Sequence, residues 1–269
     1  MTTAVPAPPP RGGDGQGVAV AATGLRKRFG ATVAVDGVDL SVPDGSFFGL
    51  VGPNGAGKST TLKMLTGLLR PDAGTAVVDG VDVWDGTDEV KRHIGVLPED
   101  PALFDRLTGH QLLTYTGLLR GMPATQVEQR ADGLLGVLGL ADAADTVVAD
   151  YSTGMRKKCG LAVALLHGPR VLFLDEPFES VDPVSARTLR AVLDRHRAAG
   201  GTVVFSSHVM ETVERLCDHV AIVHRGAVVA TGTVAQVRGA GSLEDAFVAA
   251  VGGASADTGG LEWLGSSSG

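Results

Sequence analysis

The apolar positions of this chain follow different patterns in three successive parts. Short apolar runs separated by Asp-Gly and Pro-Asp-Gly turns predict strands between residues 18 and 79. Leucines at helical spacing predict helices between about 101 and 150. Beyond Tyr151, strands and helices alternate, which is typical of a parallel sheet covered by helices. The predicted strands are 18–22, 32–42, 47–51, 74–79, 171–174, 202–206, 219–223 and 227–231, and the predicted helices are 58–69, 108–120, 124–140, 184–196, 209–217 and 242–251.

A glycine-rich segment joins one predicted strand, 47–51, to the helix that begins at Lys58. Such a turn directs backbone N–H groups and the positive helix end at one point, which suits a phosphate. Lys58 would reach the β- and γ-phosphates of a nucleotide, and the Ser59 hydroxyl would ligate Mg²⁺. An incidental Lys-Ser after a glycine turn is the alternative. The segment reads Gly52, Pro53, Asn54, Gly55, Ala56, Gly57, Lys58, Ser59, Thr60.

Two carboxylates end another predicted strand, 171–174. A buried parallel strand would place Asp175 beside the phosphate loop, where it can hold Mg²⁺. Glu176 would then reach a water that attacks the γ-phosphate and act as its general base. A strand that merely ends in solvated acids is the alternative.

These motifs and their order resemble those of the ATP-binding-cassette (ABC) ATPases, the nucleotide-binding subunits of ABC transporters, over residues 18–238. The family's signature segment is similar to Tyr151-Ser152-Thr153-Gly154-Met155, although Thr153 and Met155 depart from it. The resemblance implies that Ser152 and Gly154 contact ATP held by a partner subunit. A serine before a helix is also an N-cap by itself.

Further positions take their expected roles from the same resemblance. His208 resembles the family's switch histidine, which hydrogen-bonds the γ-phosphate, and Phe29 resembles the aromatic residue on which adenine stacks. Ser180-Val181-Asp182 resembles the segment that crosses the dimer interface; an ordinary helix start at Asp182-Pro183 is compatible with this. Glu99 stands where the family typically has glutamine, and we interpret it as a further Mg²⁺ ligand or as a solvated loop acid.

The expected fold class is α/β, a P-loop NTPase (RecA-like) core with a mostly parallel sheet, an antiparallel β subdomain and an inserted α-helical subdomain. We predict a disordered arm at 1–16, the ATPase domain at 17–238 with the helical insertion at about 101–165, and a short helix with a flexible tail at 239–269. Leu261, Trp263 and Leu264 in that tail would form a strap on the domain or a docking motif.

Composition narrows the functional class. A net charge of −7 argues against a general nucleic-acid binder, and the two cysteines, Cys159 and Cys217, suggest a reducing compartment. The chain has no apolar run of about 20 residues and no signal-peptide layout, so we expect a cytoplasmic protein, peripheral on the inner face of the membrane.

The resemblance implies an Mg²⁺-dependent ATPase that works as a homodimer, or with a paired second ATPase subunit, on a separate membrane permease. Residues 101–107 resemble the region that receives the permease; Phe104 and Leu107 would either make that contact or pack locally. The signature and Glu99 are more similar to exporters than to importers. A soluble ABC ATPase acting on ribosomes or DNA, or as a regulator, is the alternative.

Glu99 generates the first testable prediction. A carboxylate about 4 Å from a phosphate charge repels it by about 4 kcal/mol at an effective dielectric constant near 20, and Mg²⁺ between them reverses the sign. ATP affinity should therefore depend more strongly on Mg²⁺ in the unmodified protein than in Glu99→Gln. Titration of both proteins with ATP in Mg²⁺ and in EDTA measures this, and equal affinities in EDTA would reject the prediction.

Overall fold

The structure, a computed structural model, describes residues 17–252. The predicted arm at 1–16 and the apolar residues at 261–264 lie outside this range. The strands are β1 Val18–Phe29, β2 Thr32–Pro43, β3 Phe47–Val51, β4 Ala73–Val78, β5 Val81–Asp82, β6 Ile94–Leu97, β7 Val171–Leu174, β8 Thr202–Ser207, β9 His219–His224 and β10 Ala227–Thr233. The α-helices are α1 Lys58–Leu65, α2 Thr87–His93, α3 Gly109–Leu119, α4 Ala124–Val137, α5 Thr153–Leu165, α6 Pro183–Ala198, α7 Met210–Leu216, α8 Val234–Arg238 and α9 Leu243–Val251.

The described strands form two sheets. The larger has six strands in the order β10-β9-β3-β8-β7-β6, and every neighbouring pair is parallel except β10 with β9. The smaller is antiparallel, with the order β2-β1-β4-β5. This arrangement confirms the predicted combination of a mostly parallel sheet and an antiparallel β part.

The larger sheet separates two hydrophobic cores, because successive side chains of a strand point to opposite faces. In β8, Phe205 packs with the helices α3 to α7 on one face, and Val204 packs with the smaller sheet and α1 on the other. The same alternation holds in β3, where Phe47 and Phe48 lie in different cores. Both faces of the central strands are therefore buried, as their continuous apolar sequences predict.

Several predicted boundaries are wrong. Helix α1 ends at Leu65 and not at residue 69, because Gly67 at φ 73° turns the chain and Leu69 N–H donates back to the Lys63 carbonyl. Likewise α4 ends at Val137 and not at residue 140, because Gly139 adopts φ 64°. The sequence patterns also do not predict β5, α2, β6 and α8. The domain boundaries at 17, 101, 165 and 238 stay predictions.

The part of the chain between β6 and β7 is helical, with α3, α4 and α5 packed together in the first core. Thr108 caps α3 by accepting a hydrogen bond from Gln111 N–H while the Gln111 side chain accepts from Thr108 N–H. Between residues 17 and 252, no helix combines the length and the apolar composition required to span a bilayer.

A close contact between β6 and α5 generates a stability prediction. A Cβ atom added at Gly95 would lie 2.2 Å from the backbone carbonyl oxygen of Ala164, which cannot move without shifting α5. Gly95→Ala should therefore lower the free energy of unfolding by roughly 1–3 kcal/mol, the range for overpacking. Gly136→Ala in α4 is the matched control: nothing lies within 4 Å of its added Cβ, and it should raise stability by about 0.5–1 kcal/mol. Urea unfolding measures both, and equal effects would contradict the prediction.

Candidate nucleotide-binding and catalytic site

The loop from Gly52 to Gly57 leaves the carboxyl end of β3 and enters α1 at Lys58. Gly57 is the N-cap of α1 with φ 106°, and a Cβ there would lie 2.5 Å from the Ala34 carbonyl oxygen. Only glycine satisfies both conditions. The first N–H groups of a helix lack intrahelical partners, so the amino end of α1 is available to an anion.

Lys58 lies across the mouth of this loop. Its side chain is buried, and Nζ donates to the carbonyl oxygens of Gly52 at 2.7 Å and Pro53 at 3.2 Å. The same Nζ lies 3.5 Å from Oε1 of Glu176. The ammonium group therefore stands between the phosphate loop and the predicted general base.

The predicted Mg²⁺ ligands meet at the adjacent strand ends. Ser59 Oγ donates to Oδ1 of Asp175 at 3.0 Å. Ser206, in β8, donates from Oγ to the same oxygen at 2.5 Å and accepts from Glu176 N–H at 2.9 Å. Hydroxyl and carboxylate oxygens are the hard ligands that Mg²⁺ prefers.

Glu176 is buried and has a strained backbone. Its φ of 45° lies in the left-handed region, which for a non-glycine residue costs on the order of 1–3 kcal/mol. His208 Nδ1 lies 3.1 Å from Oε2 of Glu176. Within residues 17–252, the buried Oε1 atom finds no hydrogen-bond partner, although Lys58 is near. Such an orphaned oxygen beside a phosphate loop suits a group that handles a proton.

A cavity of about 460 Å³ lies beside the phosphate loop, Lys58, Ser59 and Glu176. Glu99 and Phe29 line it, as the sequence interpretation requires of a Mg²⁺ ligand and an adenine platform, and Phe29 is 51% exposed. Ligand atoms of Glu176, Glu179 and His208 lie within 4.8 Å of one another. The lining residues are Phe29, Ala34, Asn54, Gly55, Ala56, Gly57, Lys58, Ser59, Thr60, Glu99, Glu176 and Glu179.

Ser152 and Gly154 are not among the described residues that line this cavity. They lie at the start of α5, where the Ser152 side chain caps the helix by accepting from Met155 N–H. A Cβ at Gly154 would come within 3.7 Å of Asp182. Asp182 caps α6, and the hydrogen bonds from Ser185 lower the pKa of its carboxyl. The structure thus groups the predicted signature and interface segments together, apart from the phosphate loop.

Sequence reasoning missed two residues of this site, Ser206 and Lys157. Ser206 stands at the end of the predicted strand 202–206, yet it bridges Asp175 and Glu176. Lys157, in α5, is buried and donates to the carbonyl oxygens of Glu176 and Glu179. A lysine at helical spacing from the apolar Leu161 and Ala164 was the available signal, because it interrupts a buried helix face.

An α/β sheet that carries a glycine loop, a Lys-Ser pair and an acidic strand end at one edge defines a phosphate-loop nucleotide-binding protein. Residues 35–179 match the ABC transporter family. The daunorubicin/doxorubicin resistance ATP-binding protein DrrA of Streptomyces peucetius is 40% identical over 220 residues, 82% of this chain and 67% of that protein. The linearmycin resistance ATP-binding protein LnrL of Bacillus subtilis (strain 168) is 36% identical over 212 residues, 79% of this chain and 68% of LnrL.

A solved structure of an ATP binding subunit of an ABC transporter is similar to this chain with a TM-score of 0.80 and 30% identity, covering 86% of this chain and 99% of the other. The chain therefore belongs to the ABC transporter family as an ATP-binding subunit. Membership implies that it binds ATP and is an ATPase. The resemblance noted in the sequence and the expected fold class are both confirmed.

Ser206 generates a prediction from this geometry. Ser206→Ala removes a hydrogen-bond partner from the buried Glu176 N–H and from one oxygen of Asp175. The free energy of unfolding should therefore fall by about 1–3 kcal/mol. Urea unfolding measures the change. Ser41→Ala, at an exposed position of β2, is the control and should stay within about 0.5 kcal/mol of the unmodified protein. Equal stability of the two variants would show that the Ser206 bridge is unimportant.

Proposed function

We propose that this chain hydrolyses ATP with Mg²⁺ at the cavity beside Lys58, as half of a dimer that drives export through a separate membrane permease. The observation that carries the proposal is the convergence of Lys58, the adjacent Asp175 and Glu176, and His208, which come from three distant parts of the sequence.

The residues present fit a metal-bound nucleotide. Ser59, Asp175 and Glu99 supply oxygen ligands of the kind that Mg²⁺ requires, and the orphaned Oε1 of Glu176 remains available to a water. Bound Mg²⁺ would neutralise phosphate charge. Phe29 would stack on the adenine, and the backbone of residues 52–60 would surround the phosphates.

The proposed chemistry is an in-line attack of water on the γ-phosphorus. Glu176 accepts a proton from the water as the new P–O bond forms, and the bond between the γ-phosphorus and the departing ADP oxygen breaks. Lys58 stabilises the charge on the phosphates. His208, which contacts Glu176 at 3.1 Å, orients the carboxylate and would also reach the γ-phosphate. The products are ADP and inorganic phosphate.

The position of Ser152 supports the dimer. Its helix end can receive an anion, yet it lies apart from the cavity that Lys58 lines. A second subunit placed head to tail would bring its own Ser152 and Gly154 to this chain's ATP. ATP would then close the pair and hydrolysis would release it, a two-state cycle that a permease can use.

The relatives support export as the direction. Both named relatives are resistance proteins, and the Nod factor export ATP-binding protein I of Ralstonia nicotianae, 38% identical over 224 residues, carries export in its name. The alternative, a soluble ABC ATPase acting on ribosomes, DNA or another assembly, is not favoured by these names. We expect the permease to contact residues 101–107, where Phe104 is 56% exposed, and such a contact would put the chain on the inner face of the membrane.

The base role of Glu176 can be tested directly. Glu176→Gln removes the proton acceptor and keeps the shape, so turnover should fall by at least about 10²-fold while ATP and Mg²⁺ hold the variant as a dimer. Phosphate release and size-exclusion chromatography measure the two effects. Glu211→Gln, on the exposed side of α7, should behave as the unmodified protein. Unchanged phosphate release in Glu176→Gln would remove Glu176 from this role.

A further inference from the structure

Lys157 is a charged side chain in a position that normally excludes charge. It is 5% exposed, and its Nζ donates to the carbonyl oxygens of Glu176 at 2.8 Å and Glu179 at 2.7 Å. Burial lowers the pKa of Lys157, while the negative charges of Glu179 and Glu176 act in the opposite direction. Buried charges persist when hydrogen-bonded partners compensate them. The two carbonyl oxygens are those partners.

The loop that Lys157 contacts is strained. Glu176 and Ser180 both have positive φ values, 45° and 56°, and Pro177 follows the first of them. Such conformations persist only where the surroundings determine them. Ser206 Oγ accepts from Glu176 N–H on the β8 side, and Lys157 binds the Glu176 carbonyl oxygen on the α5 side. Both backbone polar groups of Glu176 are thus held by side chains from other elements.

We propose that Lys157 is a positioning residue: it fixes the backbone of the loop 176–179 to α5 so that the Glu176 carboxylate faces the phosphate loop. It acts through Glu176 and not on the nucleotide. The inference rests on the proposed function, because it takes Glu176 as the group that accepts the proton.

The part of α5 that contains Lys157 also contacts a second segment of the chain. Lys157 lies five residues after Ser152, about 7.5 Å along the helix. The preceding residue, Arg156, donates from Nη1 to Asp105 Oδ1 at 2.7 Å and to the Val148 carbonyl oxygen at 3.2 Å. One turn of α5 therefore contacts both the catalytic loop and the segment 101–107. A shift of α5 would move both.

Lys157→Met tests the proposal, because methionine keeps an unbranched chain and removes the ammonium group. With Glu176 misplaced but the phosphate loop intact, kcat should fall by about 10- to 100-fold and KM for ATP should change little. Lys158→Met, the next residue of α5 and half-buried, is the matched control and should keep the unmodified kcat. Lys157→Arg keeps the charge and the donors and should recover most of the rate.

The outcomes separate this inference from the proposed function. Equal kcat in Lys157→Met and Lys158→Met would overturn it, while an active unmodified protein and an inactive Glu176→Gln would leave the proposed function intact. An unmodified protein that releases no phosphate would defeat the proposed function instead. If Lys157→Met does not fold, Lys157→Gln, which keeps an N–H donor, replaces it. A rise of KM parallel to a loss of thermal stability in that variant would mean a purely structural role and overturn the inference.

Discussion

The parallel pairing of β3, β8 and β7 is the constraint on which the site depends. Parallel strands end at the same edge, and β8 lies between the other two, so the loop after β3 and the acids after β7 meet across Ser206 of β8. Gly52 N–H donates to the Ser207 carbonyl oxygen at 3.2 Å, and Ser206 Oγ reaches Asp175. The register of these three strands therefore sets the distances between Lys58, Ser59, Asp175 and Glu176. Burial of both sheet faces holds that register.

Several neighbouring side chains hold Asp175 and Glu176, the residues that we propose to bind the metal and to accept the proton. Asp175 accepts from two hydroxyls, and Glu176 has its N–H, its carbonyl oxygen and its carboxylate bound or paired by Ser206, Lys157 and His208. A site arranged in this way costs little reorganisation when a substrate arrives, which is how preorganised charge lowers a barrier. The strained backbone of Glu176 costs free energy, and the surrounding contacts compensate for that cost.

The predictable part of this structure is the part that local sequence specifies. Gly57 and Lys58 follow an apolar strand and open a helix, and Asp175 follows another strand, so short segments sufficed to predict the phosphate loop and the acidic strand end. The sequence of the short strand β6 shows no alternation of apolar and polar residues, and it contains Gly95, which packs against the Ala164 backbone. It therefore gives only a weak signal for a strand. Ser206 and Lys157 act through partners 30 and 19 residues away, which no spacing within one element could indicate. The predicted ends of α1 and α4 are wrong because the helical spacing of leucines continues beyond the point where a glycine ends each helix.

A structure determined with Mg²⁺ and a non-hydrolysable ATP analogue tests the central claim most directly. The account predicts the γ-phosphate within hydrogen-bond reach of Lys58 Nζ and beside the Glu176 carboxylate, with Ser152 of a second copy on its other side. A nucleotide bound away from the residues 52–60, or enclosed by one chain with the second copy's Ser152 elsewhere, would contradict it.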